Sequence, residues 1–207
     1  MIDHKQVDPA QTALVIVDMQ NDYCDANGNL GKQGLDVSMV DEMIAPLAEL
    51  IAQARDNRVP VIFIKTIHEP STDSDTWVKR LKIANQTSVC RKDTWGADFY
   101  KVKPQADDII VVKHRYSAFI NTRLDSVLRT LNTNTLIMTG VSTNVCVEST
   151  ARDGFMLDYD VVMLSDCTAA FSKAAHDMTL TNIDQYFGTV CKSEDVIQSW
   201  HALQTTS

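Results

Sequence analysis

Glycine is scarce in this sequence, with only seven in 207 residues, and this bears on nucleotide binding. The chain contains no G-x-G-x-x-G pattern after its first apolar run and no P-loop. Both patterns supply the glycines that let a backbone approach a pyrophosphate closely. A flavodoxin-like binding or redox module is therefore disfavoured, and we expect no cofactor.

Long apolar runs, an excess of basic residues and paired cysteine motifs are also missing. Without a 20-residue apolar span or a basic-plus-apolar leader, we expect a cytoplasmic protein that has no membrane partner. The net charge of −8 would repel a phosphate backbone, so nucleic acid is not an expected partner. The cysteines lack C-x-x-C spacing and are expected to be free thiols. They are Cys24, Cys90, Cys146, Cys167 and Cys191.

Short β-branched runs alternate with amphipathic segments along the chain. Apolar runs predict strands at residues 12–17, 59–65, 108–113, 135–140, 161–166 and 188–192. Helical patterns cover about 37–57, 121–131, 144–158 and 173–185, and a last one begins near Ser193. This order predicts one α/β domain over residues 1–207. It would be a doubly wound, Rossmann-like, six-stranded and mainly parallel sheet with helices on both faces.

The segment from 67 to 104 breaks this alternation. It is polar, has no clear period and contains Trp77 and Trp95. We interpret it as a long loop with a short helix that forms the wall of a pocket. Ligands of open parallel sheets bind beyond the carboxyl ends of the strands. Polar residues near these ends are therefore candidates for chemistry, namely Asp18, Lys113 and Cys146.

Cys146 lies six residues past the fourth predicted strand, where the chain turns into a helix. Thr143 or Asn144 could cap this helix. Its free N–H groups and its dipole would then favour a thiolate and hold an oxyanion. An inert, packed cysteine is the alternative, and it is the simpler interpretation of position alone.

Asp18 and Lys113 also allow two interpretations each. Asp18 could accept the thiol proton, and Lys113 could stabilise the charges of Asp18, a thiolate and a developing oxyanion. Alternatively, Asp18 braces the following loop, and Lys113 is a solvated strand end.

The sequence around the three residues favours the functional interpretation. Asp18 lies in VDMQND, Lys113 in VVKHRYSAF and Cys146 in GVSTNVCVEST. In this order the motifs resemble the isochorismatase-like cysteine hydrolases, from about residue 12 to residue 190. KHRYSAFINTRLDSVLR, and TGVSTNVCVESTARDGF followed by SDCTAAFS, are most similar to the ureidoacrylate amidohydrolases within that superfamily. The biuret and N-carbamoylsarcosine hydrolases resemble the chain more distantly.

The resemblance implies roles for individual residues. Asp18 would be the general base, Lys113 the charge partner and Cys146 the nucleophile of a catalytic triad. The backbone amides of Ser142 and Cys146 would form the oxyanion hole. The resemblance also implies a cis peptide bond between Val141 and Ser142.

Other residues near these motifs have weaker assignments. Tyr23 and Tyr116 resemble substrate-contacting tyrosines of the family, and packing against the pocket wall is their alternative role. Arg115 could meet an anionic substrate group, but a structural ion pair is the simpler expectation. We expect His68 to be a surface histidine and Asp166 to brace a neighbouring turn.

The residues after Asp18 are expected to orient the loop through local hydrogen bonds. They are Gln20, Asn21 and Asp22. After the second strand the chain reads IKTIHEPSTDSDTW. This stretch lacks the Asp-x-His pattern that holds the metal of related nicotinamidases, so we expect no metal. It also lacks the Asn-x-Trp pattern of ureidoacrylate amidohydrolases, which leaves the exact substrate open.

The resemblance thus implies a cysteine amidohydrolase that cleaves a C–N bond of a small ureido or carbamoyl compound. Ammonia would be released through a cysteine thioester. A hydrolase of another small amide or of a vinyl ether is the first alternative, and a non-catalytic binding or scaffold protein is the second. True isochorismatases cleave a vinyl ether without needing the cysteine, so Cys146 argues for C–N cleavage. The expected partner is a small-molecule substrate, and the family commonly forms homodimers or homotetramers.

Overall fold

The computed structural model describes residues 2–204, and this part of the chain contains one six-stranded sheet. Its strands are β1 (Thr12–Val17), β2 (Val61–Thr66), β3 (Ile109–Lys113), β4 (Thr135–Val141), β5 (Asp160–Ala169) and β6 (Thr189–Cys191). They lie in the order β3-β2-β1-β4-β5-β6, and every neighbouring pair is parallel. The predicted doubly wound α/β fold is confirmed, with a sheet that is parallel throughout. The ends of the predicted domain, residue 1 and residues 205–207, lie outside the described residues.

Helices lie in every connection between consecutive strands, and one more follows the last strand. They are α1 (Asn21–Cys24), α2 (Asn29–Lys32), α3 (Ser38–Asp56), α4 (Asp75–Ile83), α5 (Leu124–Thr130), α6 (Glu148–Met156), α7 (Lys173–Tyr186) and α8 (Ser193–Gln204). A π-helical stretch, Thr143–Val147, lies between β4 and α6. Within residues 2–204 we find no helix of the length and apolarity that a membrane span requires.

The two faces of the sheet carry two separate apolar cores. Leu14 and Ile16 of β1 belong to the core that contains the buried residues of α3 and α8. Val15 and Val17 belong to the other core, with buried residues of α5, α6 and α7. Because side chains alternate along a strand, a strand covered on both faces must be apolar throughout. This explains the unbroken run TALVIV, every residue of which is buried.

Three predicted elements differ from the structure. The helix expected at 121–131 begins only at Leu124, because Asn121 has a φ of 55° that a helix does not allow. The helix expected at 144–158 is divided into the π-helical stretch and α6. The strand expected at 161–166 extends to Ala169, and its pairing with β4 shifts register between Met138 and Gly140. Hydrophobic periodicity cannot show such local irregularities.

The segment from 67 to 104 contains α4 and several turns. Trp77 of α4 lines a pocket at the carboxyl edge of the sheet, as predicted for a pocket wall. Trp95 is about half exposed and lies outside that lining. The segment therefore has more regular structure than the sequence indicated, but it has the predicted place in the fold.

Gly140 permits the close approach of β4 to β1 beside this edge. Its φ is 103°, and a Cβ atom built there would lie 2.0 Å from the carbonyl oxygen of Val17. Gly34 also has a positive φ, 84°, but a Cβ there would meet nothing within 4 Å. An alanine at Gly34 would therefore have only an unfavourable backbone conformation, whereas an alanine at Gly140 would also collide with β1.

We expect Gly140→Ala to lower the free energy of unfolding by at least about 3 kcal/mol, because backbone strain and overpacking add. Gly34→Ala should cost only about 1–2 kcal/mol, the conformational part alone. Urea unfolding of both variants measures the difference. Equal losses would show that β4 can move away from β1 without penalty.

Candidate active site

The three candidate residues meet at the carboxyl edge of the sheet. Asp18 directly follows β1, Lys113 ends β3, and Cys146 lies in the π-helical stretch after β4. Chain connections run in opposite directions from the adjacent strands β1 and β4, which makes this edge the topological switch point of the sheet. Lys113 Nζ lies 2.8 Å from Asp18 Oδ2 and 3.5 Å from Cys146 Sγ. The structure therefore brings the predicted triad together.

Asp18 and Lys113 form an ion pair in which each side chain is only 1% exposed. The Lys113 ammonium also donates to the Thr66 hydroxyl at 2.7 Å and to the Arg115 carbonyl at 2.9 Å. Burial alone would lower the pKa of Lys113, but the nearby Asp18 and Cys146 outweigh it and raise the pKa above its usual value. The lysine is thus charged although its side chain is buried.

The Asp18 carboxylate is held asymmetrically. Its Oδ1 accepts a hydrogen bond from the Thr66 hydroxyl at 2.8 Å. Its Oδ2 is buried and accepts no aligned hydrogen bond from residues 2–204, although Lys113 lies close by. Asp18 also has a φ of 50°, a backbone conformation that is uncommon outside glycine and is often found at functional sites. One carboxylate oxygen is therefore available to accept a proton.

The Cys146 thiol is buried beside both charged residues. Burial is the largest influence and raises its pKa to about 12, Lys113 lowers it, and Asp18 raises it again. This upward direction is opposite to the lowered thiol pKa expected at a helix terminus. A neighbouring base that removes the thiol proton would therefore assist attack by the sulfur.

The expected helix cap is also absent. Ser142 occupies the N-cap position, and its hydroxyl donates to Asn144 Oδ1 at 2.9 Å. The Thr143 hydroxyl is 2.9 Å from His176 Nδ1, so it serves the packing of α7 against this turn. The predicted cis peptide bond between Val141 and Ser142 is present.

A pocket of about 170 Å³ opens above the three residues. This is smaller than the roughly 300–1,000 Å³ typical of drug-sized ligands, so it suits a small metabolite. Residues from five parts of the chain line it, including Tyr23, Thr66, His68, Trp77, Arg80, Arg115, Tyr116, Ser142, Cys146 and Phe171. The two residues predicted to form the oxyanion hole and the two predicted substrate-binding tyrosines thus border one cavity.

The two tyrosines differ in their surroundings. Burial raises the pKa of the Tyr23 phenol well above its usual value, and Asp18 and Cys146 add to the effect. Tyr23 therefore remains a protonated donor close to the candidate triad. The Tyr116 ring packs edge-on against Trp77, with 4.9 Å between the ring centroids. Tyr116 thus combines the packing role and the pocket-lining role considered for it.

The surface position expected for His68 is wrong. His68 is only 3% exposed and lines the pocket, because its backbone pairs with the chain near Cys90 and Arg91. Burial, followed by the charge of Lys113, lowers its pKa to about 4, and Nδ1 accepts a hydrogen bond from Trp77 at 3.4 Å. A neutral imidazole in the pocket wall was not foreseeable from a lone histidine in a polar segment.

The ion pair expected for Arg115 is also absent. Its guanidinium donates to the carbonyls of Thr72 and His114 and lies 4.8 Å from the centre of the Trp77 ring. No carboxylate of residues 2–204 lies within salt-bridge distance. Arg115 thus brings an unneutralised positive charge to the pocket.

The loop after Asp18 is held both by local hydrogen bonds, such as that from the Asn29 backbone N–H to Asp22 Oδ1, and by distant parts of the chain. The Gln20 side chain bonds both backbone groups of Thr66, and the Asn21 side chain donates to the Trp95 carbonyl. Asp22 accepts from the backbone N–H of Cys90, 68 residues away. The predicted orienting role fits these residues, and the distant partners add to the local hydrogen bonds that were expected.

Asp166 lies inside β5 rather than at its end. It accepts hydrogen bonds from the backbone and the hydroxyl of Ser193 at 2.9 and 2.7 Å, which holds the start of α8. The expected bracing role is therefore confirmed. Within the described part of the chain, no three His, Cys, Asp or Glu side chains are placed to hold a metal ion.

Fold and site together define an α/β enzyme with a small, charged pocket at the switch point of its sheet. The model of the isochorismatase domain matches residues 12–195. The chain is 39% identical over 202 residues to the ureidoacrylate amidohydrolase RutB of Pseudomonas syringae pathovar syringae, covering 90% of this chain and 82% of that protein. It is 38% identical over 197 residues to the RutB of Serratia proteamaculans, covering 88% and 79%.

Solved structures show the same relationship. A cysteine hydrolase from Pseudomonas syringae pathovar phaseolicola superimposes with a TM-score of 0.85 at 33% identity, covering 94% of each chain. An isochorismatase-like hydrolase from Alkaliphilus metalliredigens gives a TM-score of 0.80 at 30% identity, covering 92% of this chain and 99% of that one. The chain belongs to the isochorismatase family. This confirms the resemblance and the prediction of an enzyme of the hydrolase class.

Proposed function

We propose that this protein is a cysteine amidohydrolase of small ureido compounds, with ureidoacrylate as the leading substrate. The observation that carries the proposal is the buried contact of one ammonium group, on Lys113, with both the Asp18 carboxylate and the Cys146 sulfur. The names of the curated relatives support the choice of substrate.

In the proposed reaction Asp18 is the general base. Its Oδ2 takes the proton of the Cys146 thiol, and the sulfur attacks the terminal carbamoyl carbon. The C–N bond then breaks, the departing nitrogen receives the proton from Asp18, and ammonia leaves a carbamoyl thioester on Cys146. Asp18 next takes a proton from water, and the water oxygen attacks the thioester carbon. The C–S bond breaks, the carbamic acid leaves, and the proton returns from Asp18 to the Cys146 sulfur.

The negative charge that develops on the substrate oxygen in the transition state is best stabilised by hydrogen-bond donors in fixed positions. The tetrahedral intermediate bears an oxyanion, which the backbone amides of Ser142 and Cys146 would hold and the Lys113 ammonium would stabilise. Such donors are more effective in a buried site, where the dielectric constant is low. The raised pKa of the thiol fits this order of events, because the charge forms only when Asp18 removes the proton.

The rim of the pocket fits a substrate that carries a carboxylate. Arg80 and Arg115 both line it, and neither guanidinium pairs with a carboxylate of residues 2–204. Trp77 and Tyr116 give the wall a flat aromatic surface. A planar, conjugated acid would satisfy both features, since an arginine fork matches carboxylate geometry.

The test is ammonia release by the purified protein, with chelator and without added metal. The panel is ureidoacrylate, N-carbamoylsarcosine, biuret, triuret and nicotinamide. We expect turnover of ureidoacrylate above the uncharged biuret and triuret. Arg80→Gln should raise KM roughly tenfold for the acid, about the size of one exposed charge-assisted contact, and leave KM for the uncharged compounds unchanged.

The outcomes are distinct. Equal effects of Arg80→Gln on charged and uncharged compounds would remove the carboxylate assignment. No ammonia from any ureido compound would move the substrate outside carbamoyl chemistry.

A further inference from the structure

Thr66 lies between the two charged residues of the site and has no role in the mechanism above. It is the last residue of β2, which pairs with β1 on one side and with β3 on the other, directly opposite Lys113. Because Asp18 follows β1, the Thr66 side chain lies between the Asp18 carboxylate and the Lys113 ammonium. Thr66 is 2% exposed, and the rule that selected polar residues at strand ends could have found it.

The direction of its hydrogen bonds is fixed by chemistry. An ammonium group donates hydrogen bonds and accepts none, so in the 2.7 Å contact with Lys113 the Thr66 oxygen must be the acceptor. The single hydroxyl proton is then committed to Asp18 Oδ1 at 2.8 Å. Asp18 cannot rotate without breaking this bond, and Oδ2 remains the oxygen without an aligned donor.

We propose that Thr66 is a positioning residue that holds Asp18 Oδ2 toward the Cys146 thiol and sets its distance from the Lys113 ammonium. Thr66 lines the pocket, but its hydroxyl is bonded to Asp18 and Lys113, and in the proposed reaction it acts through Asp18. The inference rests on the proposed function only for the roles of Cys146 and Asp18. A buried, satisfied threonine that merely fills space is the alternative.

Alkylation of Cys146 by iodoacetamide tests the role without any substrate. The sulfur attacks the methylene carbon, the C–I bond breaks, iodide leaves, and the thiol proton passes to Asp18 and then to solvent. Thr66→Val keeps the shape but has no hydroxyl, so we expect the rate constant at pH 7 to fall about tenfold to a hundredfold. Thr66→Ser keeps the hydroxyl and should restore the rate to within about threefold of the parent.

A buried threonine of β4, Thr139, provides the matched control. The Thr139 hydroxyl donates to the Val15 carbonyl and lies outside the pocket. Thr139→Val should therefore leave the alkylation rate unchanged while losing one buried hydrogen bond. Peptide mapping by mass spectrometry assigns the alkylated cysteine, and thermal unfolding reports the fold of each variant.

Steady-state kinetics provide the second readout. If ureidoacrylate is turned over, Thr66→Val should lower kcat by a similar factor with KM within about twofold, because orientation of the base and not substrate binding is lost. A folded Thr66→Val protein that is alkylated at the parent rate would overturn the proposal. So would equal losses in Thr66→Val and Thr66→Ser. A silent substrate panel would leave the alkylation result standing and refute only the substrate assignment.

Discussion

Replacing Cys146 with alanine should lower the rate of ammonia release by at least about 10⁴-fold, because members of a nucleophile–base unit act together and their loss is not partly compensated. KM should change little, since the sulfur forms its bond after binding. Single-turnover and steady-state assays on the best substrate of the panel measure both constants. The loss would show that the reaction requires the Cys146 sulfur, as the proposed thioester route does.

The control for this variant is another buried cysteine. Cys167 is fully buried in β5 and does not line the pocket. Cys167→Ala removes the same atoms from a core and should cost stability without a comparable loss of kcat. Near-normal turnover by Cys146→Ala would refute the proposed mechanism and favour an acid-catalysed reaction, as in ether hydrolysis.

The sequence predicted the strands, and it predicted that Asp18, Lys113 and Cys146 lie at one edge of the sheet, because both predictions follow from simple rules. Apolar runs covered on two faces mark parallel strands, and parallel strands place their last residues at one edge. Asp18, Lys113 and Cys146 are recognisable for that reason, although they are separated by as many as 128 residues along the chain. The family motifs added the roles, which position alone did not decide.

Other features depend on contacts that no local pattern encodes. His68 is buried because the chain near Cys90 pairs with it. The pKa of the Cys146 thiol is raised because the thiol is buried, whereas the sequence showed only a helix beginning nearby. Thr66 followed the same strand-end rule as Asp18, but threonine is so common in strands that its residue type drew no attention.

Replacing Lys113 with methionine should cost about 3–5 kcal/mol of unfolding free energy as well as activity, because it leaves the Asp18 carboxylate buried without its counter-charge. Asp18 and Lys113 are each 1% exposed, so solvent cannot compensate. An exposed pair provides the comparison. Lys173 and Asp177 are 79% and 53% exposed, and Lys173→Met should cost less than about 1 kcal/mol.

The double variant Asp18→Asn/Lys113→Met separates stability from catalysis. Both charges are then absent, so urea unfolding should recover most of the loss seen in Lys113→Met, whereas ammonia release should stay as low as in either single variant. That combination would show that the ion pair is kept for its chemistry, since an uncharged pair of similar size folds as well. If the double variant is as unstable as Lys113→Met, the pair holds the β1 and β3 ends together through its hydrogen bonds. Activity in the double variant would exclude Asp18 as the base.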